Sequence, residues 1–154
     1  MIPEAKATQA LRTWFRLLRL ETGVRIAMGE KLKQLDLSVP QLDVLSTLTE
    51  NEGMSQQELA GRLYVTKGNI SGLLDRMVEA SLVERRNTAA DRRSYAIYLT
   101  EAGRALMVKG MAIQAEFVND TIGRLSEEQL SRFEELTIAA RDLLRAKVGR
   151  RSVD

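Results

Sequence analysis

Residues 66–78 read Thr66-Lys67-Gly68-Asn69-Ile70-Ser71-Gly72-Leu73-Leu74-Asp75-Arg76-Met77-Val78. Soon after come Leu82-Val83-Glu84-Arg85-Arg86 and Ser94-Tyr95-Ala96-Ile97-Tyr98-Leu99. In the first stretch Ile70, Leu73, Leu74, Met77 and Val78 recur at helical spacing, so a helix capped by Thr66 has one apolar face. In the other two the period falls to two, which predicts a pair of short strands. Asn87-Thr88-Ala89-Ala90-Asp91-Arg92-Arg93 between them is polar and basic, the composition of an exposed hairpin tip.

Upstream the boundaries are chemically sharp. Ser55-Gln56-Gln57-Glu58 is a capping box that opens a short helix with Leu59 and Leu63 inward. Ser38-Val39-Pro40-Gln41 is another, with proline in the first turn, and its helix turns Leu42, Leu45 and Leu48 inward before stopping near Asn51-Glu52-Gly53. Three helices followed by a two-stranded hairpin make a winged helix-turn-helix, a motif that sets its last helix into a DNA major groove.

Longer helices flank this unit. On the N-terminal side Leu11, Trp14, Phe15 and Leu18 form one apolar stripe, and Leu17, Leu20, Val24, Met28 and Leu35 form a second. Two apolar faces need two covers, this chain's own core and a second subunit. On the C-terminal side Thr100-Glu101 caps a helix running to about Ile122. The capping box Ser126-Glu127-Glu128-Gln129 then opens a last helix with Leu130, Phe133, Leu136, Ala140, Leu143 and Leu144 inward. The expected fold is mainly α, in the order helix-helix-helix-helix-hairpin-helix-helix. Residues 1–36 form an N-terminal dimerisation helix, 37–100 the winged DNA-binding domain and 101–154 C-terminal dimerisation helices. An isologous dimer would place two recognition helices about one DNA turn (~34 Å) apart.

Composition narrows the function. The chain has 154 residues, no cysteine and no histidine. That removes disulfides, thiolate nucleophiles, Cys-ligated zinc, thiol-based sensing and imidazole chemistry. No catalytic group, metal or cofactor is expected. No apolar run approaches the ~18 residues of a membrane span, and no apolar signal core follows the N-terminus, so a cytoplasmic protein with no membrane partner is expected. Charge is nearly balanced, 23 Lys and Arg against 21 Asp and Glu, but it is segmented. Residues 36–59 hold five acids and no base, whereas 60–95 hold seven bases and four acids. The positive segment is the one with the helix and hairpin.

On the solvent side of the helix after Thr66, Lys67, Asn69, Ser71 and Arg76 can hydrogen-bond to base edges or phosphates. Gly68 and Gly72 each cost roughly 1 kcal/mol in a helix interior. They permit either close helix packing or close approach of a ligand backbone. The hairpin adds Arg85, Arg86, Arg92 and Arg93, suited to a narrow minor groove. Two other classes compete. A winged-helix protein–protein adaptor would need an apolar or acidic face on this helix, which Lys67, Asn69 and Arg76 oppose. A carboxylate-only enzyme could use Asp75 and Glu79, spaced i, i+4, but they lie on a solvent face, where solvation explains them.

The stretch Thr66 to Met77, then Leu82-Val83-Glu84-Arg85-Arg86, then Asp91-Arg92-Arg93 through Leu99-Thr100-Glu101-Ala102-Gly103 resembles the multiple-antibiotic-resistance regulator (MarR) family. The resemblance implies a homodimeric regulator, a repressor on a near-palindromic double-stranded operator, released when a small-molecule effector binds. It assigns Thr66, Lys67, Gly68, Asn69, Ser71, Gly72 and Arg76 to the recognition helix. It makes Asp91 the acceptor that braces a wing arginine, with Arg92 or Arg93 reaching the minor groove and Arg86 beside them. Two departures stand out. Ser81 replaces the glycine with which many members end the recognition helix, so that turn is expected to form without a residue that favours left-handed backbone. Gly72 replaces a larger polar residue. For the effector, Arg12, Arg16 and Arg19 lie within about 60° on the first helix beside Trp14, Phe15 and Leu18. Trp14, Arg16 and Arg19 are thus candidates to hold an anionic, partly apolar molecule such as an aromatic carboxylate or an acyl-coenzyme A; the bland reading is that these arginines are solvated or pair with acids across a dimer.

Overall fold

The computed structural model describes residues 4–63, 67–88 and 91–148, with the backbone alone for 91–94 and 148. The helices are α1 (Glu4–Leu32), α2 (Val39–Glu50), α3 (Gln56–Arg62), α4 (Lys67–Glu79), α5 (Glu101–Asp120) and α6 (Glu127–Val148). Strands β1 (Val83–Thr88) and β2 (Asp91–Leu99) stand between α4 and α5. Short 3-10 turns follow α1 at Lys33–Leu35 and α5 at Ile122–Arg124. The fold is a mainly α winged helix-turn-helix.

All three capping boxes close, each satisfying two amides at a helix start. Ser38 Oγ accepts from Gln41 N at 3.3 Å while Ser38 N donates to Gln41 Oε1 at 2.9 Å. Ser55 and Glu58 do the same at 3.2 and 2.7 Å, and Ser126 and Gln129 at 3.2 and 3.0 Å. Losing such a cap costs about 1 kcal/mol.

The core lies inside the winged unit. Leu45 and Leu48 of α2, Leu59 of α3, Ile70, Leu74 and Met77 of α4 and Ile97 of β2 are fully buried together. Met28 and Leu32 of α1, with Leu37, close one side of this core. Val78 is not part of it: it lies about 80° from Ile70 around α4, past the edge of the apolar stripe, and is 37% exposed.

The hairpin is longer than its side-chain pattern predicts. Pairing runs from Val83↔Leu99 to Asn87↔Tyr95, then shifts so that Thr88 faces Asp91. Most of 87–93 is therefore strand rather than loop. The ladder is made by backbone groups, and polar residues on both faces leave no alternation to read. The linker before α3 adds to the sheet, with Gly53 N donating to Ile97 O at 2.9 Å and Ile97 N to Met54 O at 3.0 Å. Gly53 makes that turn at φ +81°.

The flanking helices differ from expectation in their covers. Leu11, Trp14, Phe15 and Leu18 of α1 are exposed, as are Leu130, Phe133, Leu136, Leu143 and Leu144 of α6. Among the described residues the face of α6 expected to turn inward is largely uncovered. The helix after Thr100 stops at Asp120 rather than Ile122, and the first helix stops at Leu32 rather than Leu35.

Candidate nucleic-acid interface

α4 presents the face opposite its core stripe. Lys67, Gly68, Asn69 and Arg76 are exposed, and Ser71 and Gly72 are half-buried at its margin. A methyl group built on Gly68 meets nothing within 4 Å, and one on Gly72 meets only Arg76 Nη1 at 3.7 Å. Among the described residues neither glycine is needed for packing inside the chain. Both leave room on the outward face. Thr66 lies outside the described residues.

Past the end of α4 at Glu79, Ser81 makes the turn. Ser81 itself takes the left-handed conformation at φ +56°, with Ser81 N donating to Val78 O and Leu82 N to Met77 O, each at 2.9 Å. The turn thus forms without a residue that favours left-handed backbone, the serine itself taking that conformation. Thr100 secures it from the other side: its hydroxyl lies 2.6 Å from Ser81 O and accepts from Gly103 N at 2.9 Å.

The wing arginines are not equivalent. Arg85 turns inward, with Nη1 2.6 Å from Asp75 Oδ1 on α4 and Nη2 3.4 Å from Gln56 Oε1 on α3. Arg86 donates to Glu84, with Nε at 2.8 Å, and stacks over the Tyr98 ring with its guanidinium carbon 4.1 Å from the centroid. It stands midway along the wing, paired with Ala96 across the ladder. Asp91, Arg92 and Arg93 lie on the first residues of β2, next to the tip, and their side chains lie outside the described residues. Behind the wing, Glu52 receives both Arg104 Nη2, at 2.6 and 2.7 Å, and the Leu99 amide, at 2.9 Å. The Arg104 contact and the Leu99 amide hold the Glu52 carboxyl below its ordinary pKa.

A groove of about 940 Å³ opens between α1, the start of α2, the end of α5 and the start of α6. Its wall is mostly apolar, with Leu20, Val24, Phe117 and Phe133, but Arg19, Asp43 and the ion pair of Arg25 with Glu21 also line it. Burial pushes the Asp43 carboxyl up, partly offset by the charge of Arg25. Of the effector candidates, Arg19 lines the groove; Trp14 and Arg16 are exposed on α1 and are not among its lining residues. Arg25 and Asp43 escaped sequence reading, although an acid between Leu42 and Val44 on a core-facing helix was a signal to follow. Among the described residues no cluster of three or more acids could hold a metal, and no helix is long and apolar enough to cross a membrane.

A family model described as MarR family matches residues 35–94. An HTH-type transcriptional regulator of Bacillus cereus (strain ATCC 10987) is 32% identical over 128 residues, covering 80% of this chain and 84% of that one. Among solved structures, AbsC, a MarR family transcriptional regulator from Streptomyces coelicolor, is similar with a TM-score of 0.79 at 27% identity, over 95% of this chain and 98% of that one. An organohalide-sensing transcriptional regulator in its 2,4-dichlorophenol-bound form has a TM-score of 0.84 over 100% of this chain and 92% of that one. At 15% identity that likeness is one of fold.

Proposed function

The chain belongs to the MarR family of DNA-binding transcriptional regulators, and from that premise we propose that it is a homodimeric repressor that a small molecule releases from a near-palindromic operator. The observation that carries the DNA side is the outward face of α4. Lys67, Asn69, Ser71 and Arg76 offer donors there, and Gly68 and Gly72 leave the backbone open to close approach. In this reading Thr66 starts the recognition helix, Asp91 braces a wing arginine, and Arg92 or Arg93 enters the minor groove with Arg86 at its margin. The site acts in the cytoplasm, where the operator is.

Dimerisation is supported by the many exposed apolar residues of α1 and α6, since soluble chains seldom leave large apolar patches uncovered. The domain roles follow: residues 1–36 and 101–154 hold the dimer, and 37–100 read DNA. For the effector, the groove offers apolar walls and Arg19 at its lining, the charge of Arg25 being paired there with Glu21; this supports a largely apolar molecule whose anionic group would be held at Arg19. Of the side chains proposed from sequence, Arg19 lines this groove, and Trp14 and Arg16 stay candidates on the exposed surface of α1. The solved relative with 2,4-dichlorophenol is a precedent for a small aromatic ligand in this fold.

The test is fluorescence anisotropy of the purified protein against DNA from upstream of its own gene, with scrambled DNA as control, at two salt concentrations. A specific regulator holds the upstream duplex at moderate salt and releases the scrambled one. Replacing Arg92 and Arg93 by Ala weakens binding and lowers the salt slope by about two if each neutralises one phosphate. Equal, salt-labile binding to both duplexes would remove the specific operator from the account.

A further inference from the structure

Arg85 joins three elements with one guanidinium. Gln56 opens α3, Asp75 stands on the solvent side of α4, and Arg85 is the third residue of β1. The arginine side chain is only 24% exposed, and its Nε is shielded from solvent without a hydrogen-bond partner. A shielded donor is unfavourable, so this pose is held by what the two Nη atoms reach. We propose that Arg85 is a positioning residue that locks the wing to the helix-turn-helix through Asp75 and Gln56, so that wing and α4 meet DNA as one rigid body, and that it does not itself bind phosphate.

This inference rests on the reading of α4 and the wing as the DNA-facing pair. Asp75 gives the argument its edge. It is 59% exposed on the helix proposed to face a polyanion, where a free carboxylate would be repelled by phosphate. Paired with Arg85 it adds no net charge, and its oxygen fixes the angle of β1. Simple electrostatics and the brace therefore make opposite statements about removing Asp75.

The experiment uses the full chain as Asp75→Ala, Asp75→Asn and Arg85→Ala. Anisotropy is read against a labelled duplex from upstream of its own gene and a random duplex of equal length, between roughly 50 and 200 mM salt. The brace predicts that Asp75→Ala weakens binding about tenfold although it removes a negative charge. Asp75→Asn, which keeps the Oδ1 acceptor, recovers part of that loss. Arg85→Ala weakens binding with the salt slope unchanged. Circular dichroism checks that each variant is folded, and the surface position of Asp75 makes its two variants the secure ones. Unchanged or tighter binding by Asp75→Ala overturns the proposal, as does a salt slope lowered by about one in Arg85→Ala, the mark of a lost phosphate contact. If the parent protein binds neither duplex, the DNA reading itself fails and the brace falls with it; a parent that binds while Asp75→Ala is neutral sinks the brace alone.

Discussion

The hydroxyl of Thr100 lies 2.6 Å from the carbonyl oxygen of Ser81, a residue held in left-handed backbone at φ +56°. One side chain thus pins the end of α4 to the first turn of α5. Left-handed backbone costs a residue with a Cβ about 1–2 kcal/mol, and part of that returns as the greater unfolded freedom of glycine. Ser81→Gly is therefore expected to stabilise the fold by about 0.5–1 kcal/mol, a rise of about 1–4 °C in a thermal melt. An unchanged or lower melting temperature would mean that the turn carries no such strain.

Gly103 sits at the same junction for a different reason. A methyl group there would fall inside the contact distance of the Leu82 carbonyl oxygen, which is backbone and cannot swing aside. Either α5 or the start of β1 must move. Gly103→Ala is expected to cost roughly 1–3 kcal/mol, read as a lower midpoint in urea. A midpoint within error of the parent would show that α5 shifts freely and does not hold the wing.

What could be read from sequence was what is local. Ser38 with Gln41, Ser55 with Glu58, and Ser126 with Gln129 each close within four residues, and the Ile70-Leu73-Leu74-Met77 stripe repeats at the helical period. The Arg85–Asp75 pair is ten residues apart across a turn and a change of period, so no spacing rule announces it. The groove draws Arg25, Asp43, Phe117 and Phe133 from four helices, and only the fold brings them together. Ser81 shows a third limit, since a composition rule that expects glycine does not see the Thr100 contact that helps a serine hold the same conformation.

Asp43 carries a pH signature. Burial raises its pKa above the ordinary 3.8, outweighing the nearby Arg25 charge. A raised carboxyl pKa means the folded state prefers the proton, so this stabilising contribution is full below about 3.8 and is lost as pH rises through the folded value. At neutral pH the charged group opposes folding. Asp43→Asn is expected to melt higher than the parent at pH 7, with the difference closing as pH falls through the raised folded value and gone below about 3.8. A difference that stays constant with pH would place its origin outside the carboxyl charge.

The uncovered face of α6 predicts how assembly responds to charge. Leu136 and Leu143 are 57% and 74% exposed, and a carboxylate buried there without a partner is strongly unfavourable. Leu136→Glu with Leu143→Glu is expected to shift the protein to monomer in sedimentation velocity at micromolar concentration, and to weaken binding to an operator with two half-sites. A variant that still sediments as a dimer would move the interface off this face of α6.

Gly68 and Gly72 separate helix packing from ligand approach. Alanine fits at both positions, meeting nothing at Gly68 and only the end of Arg76 at Gly72. In an interior helical position alanine is better than glycine by roughly 0.5–1 kcal/mol. Each single replacement is thus expected to raise thermal stability slightly. If these glycines exist to let DNA come close to the α4 backbone, the same replacements weaken operator binding while the protein becomes more stable. The two readouts must move in opposite directions. A variant that is more stable and binds equally well would show that α4 keeps its distance at that position, and would move the close approach to the neighbouring donors Lys67, Asn69 and Arg76. A less stable variant would contradict the open space around both residues.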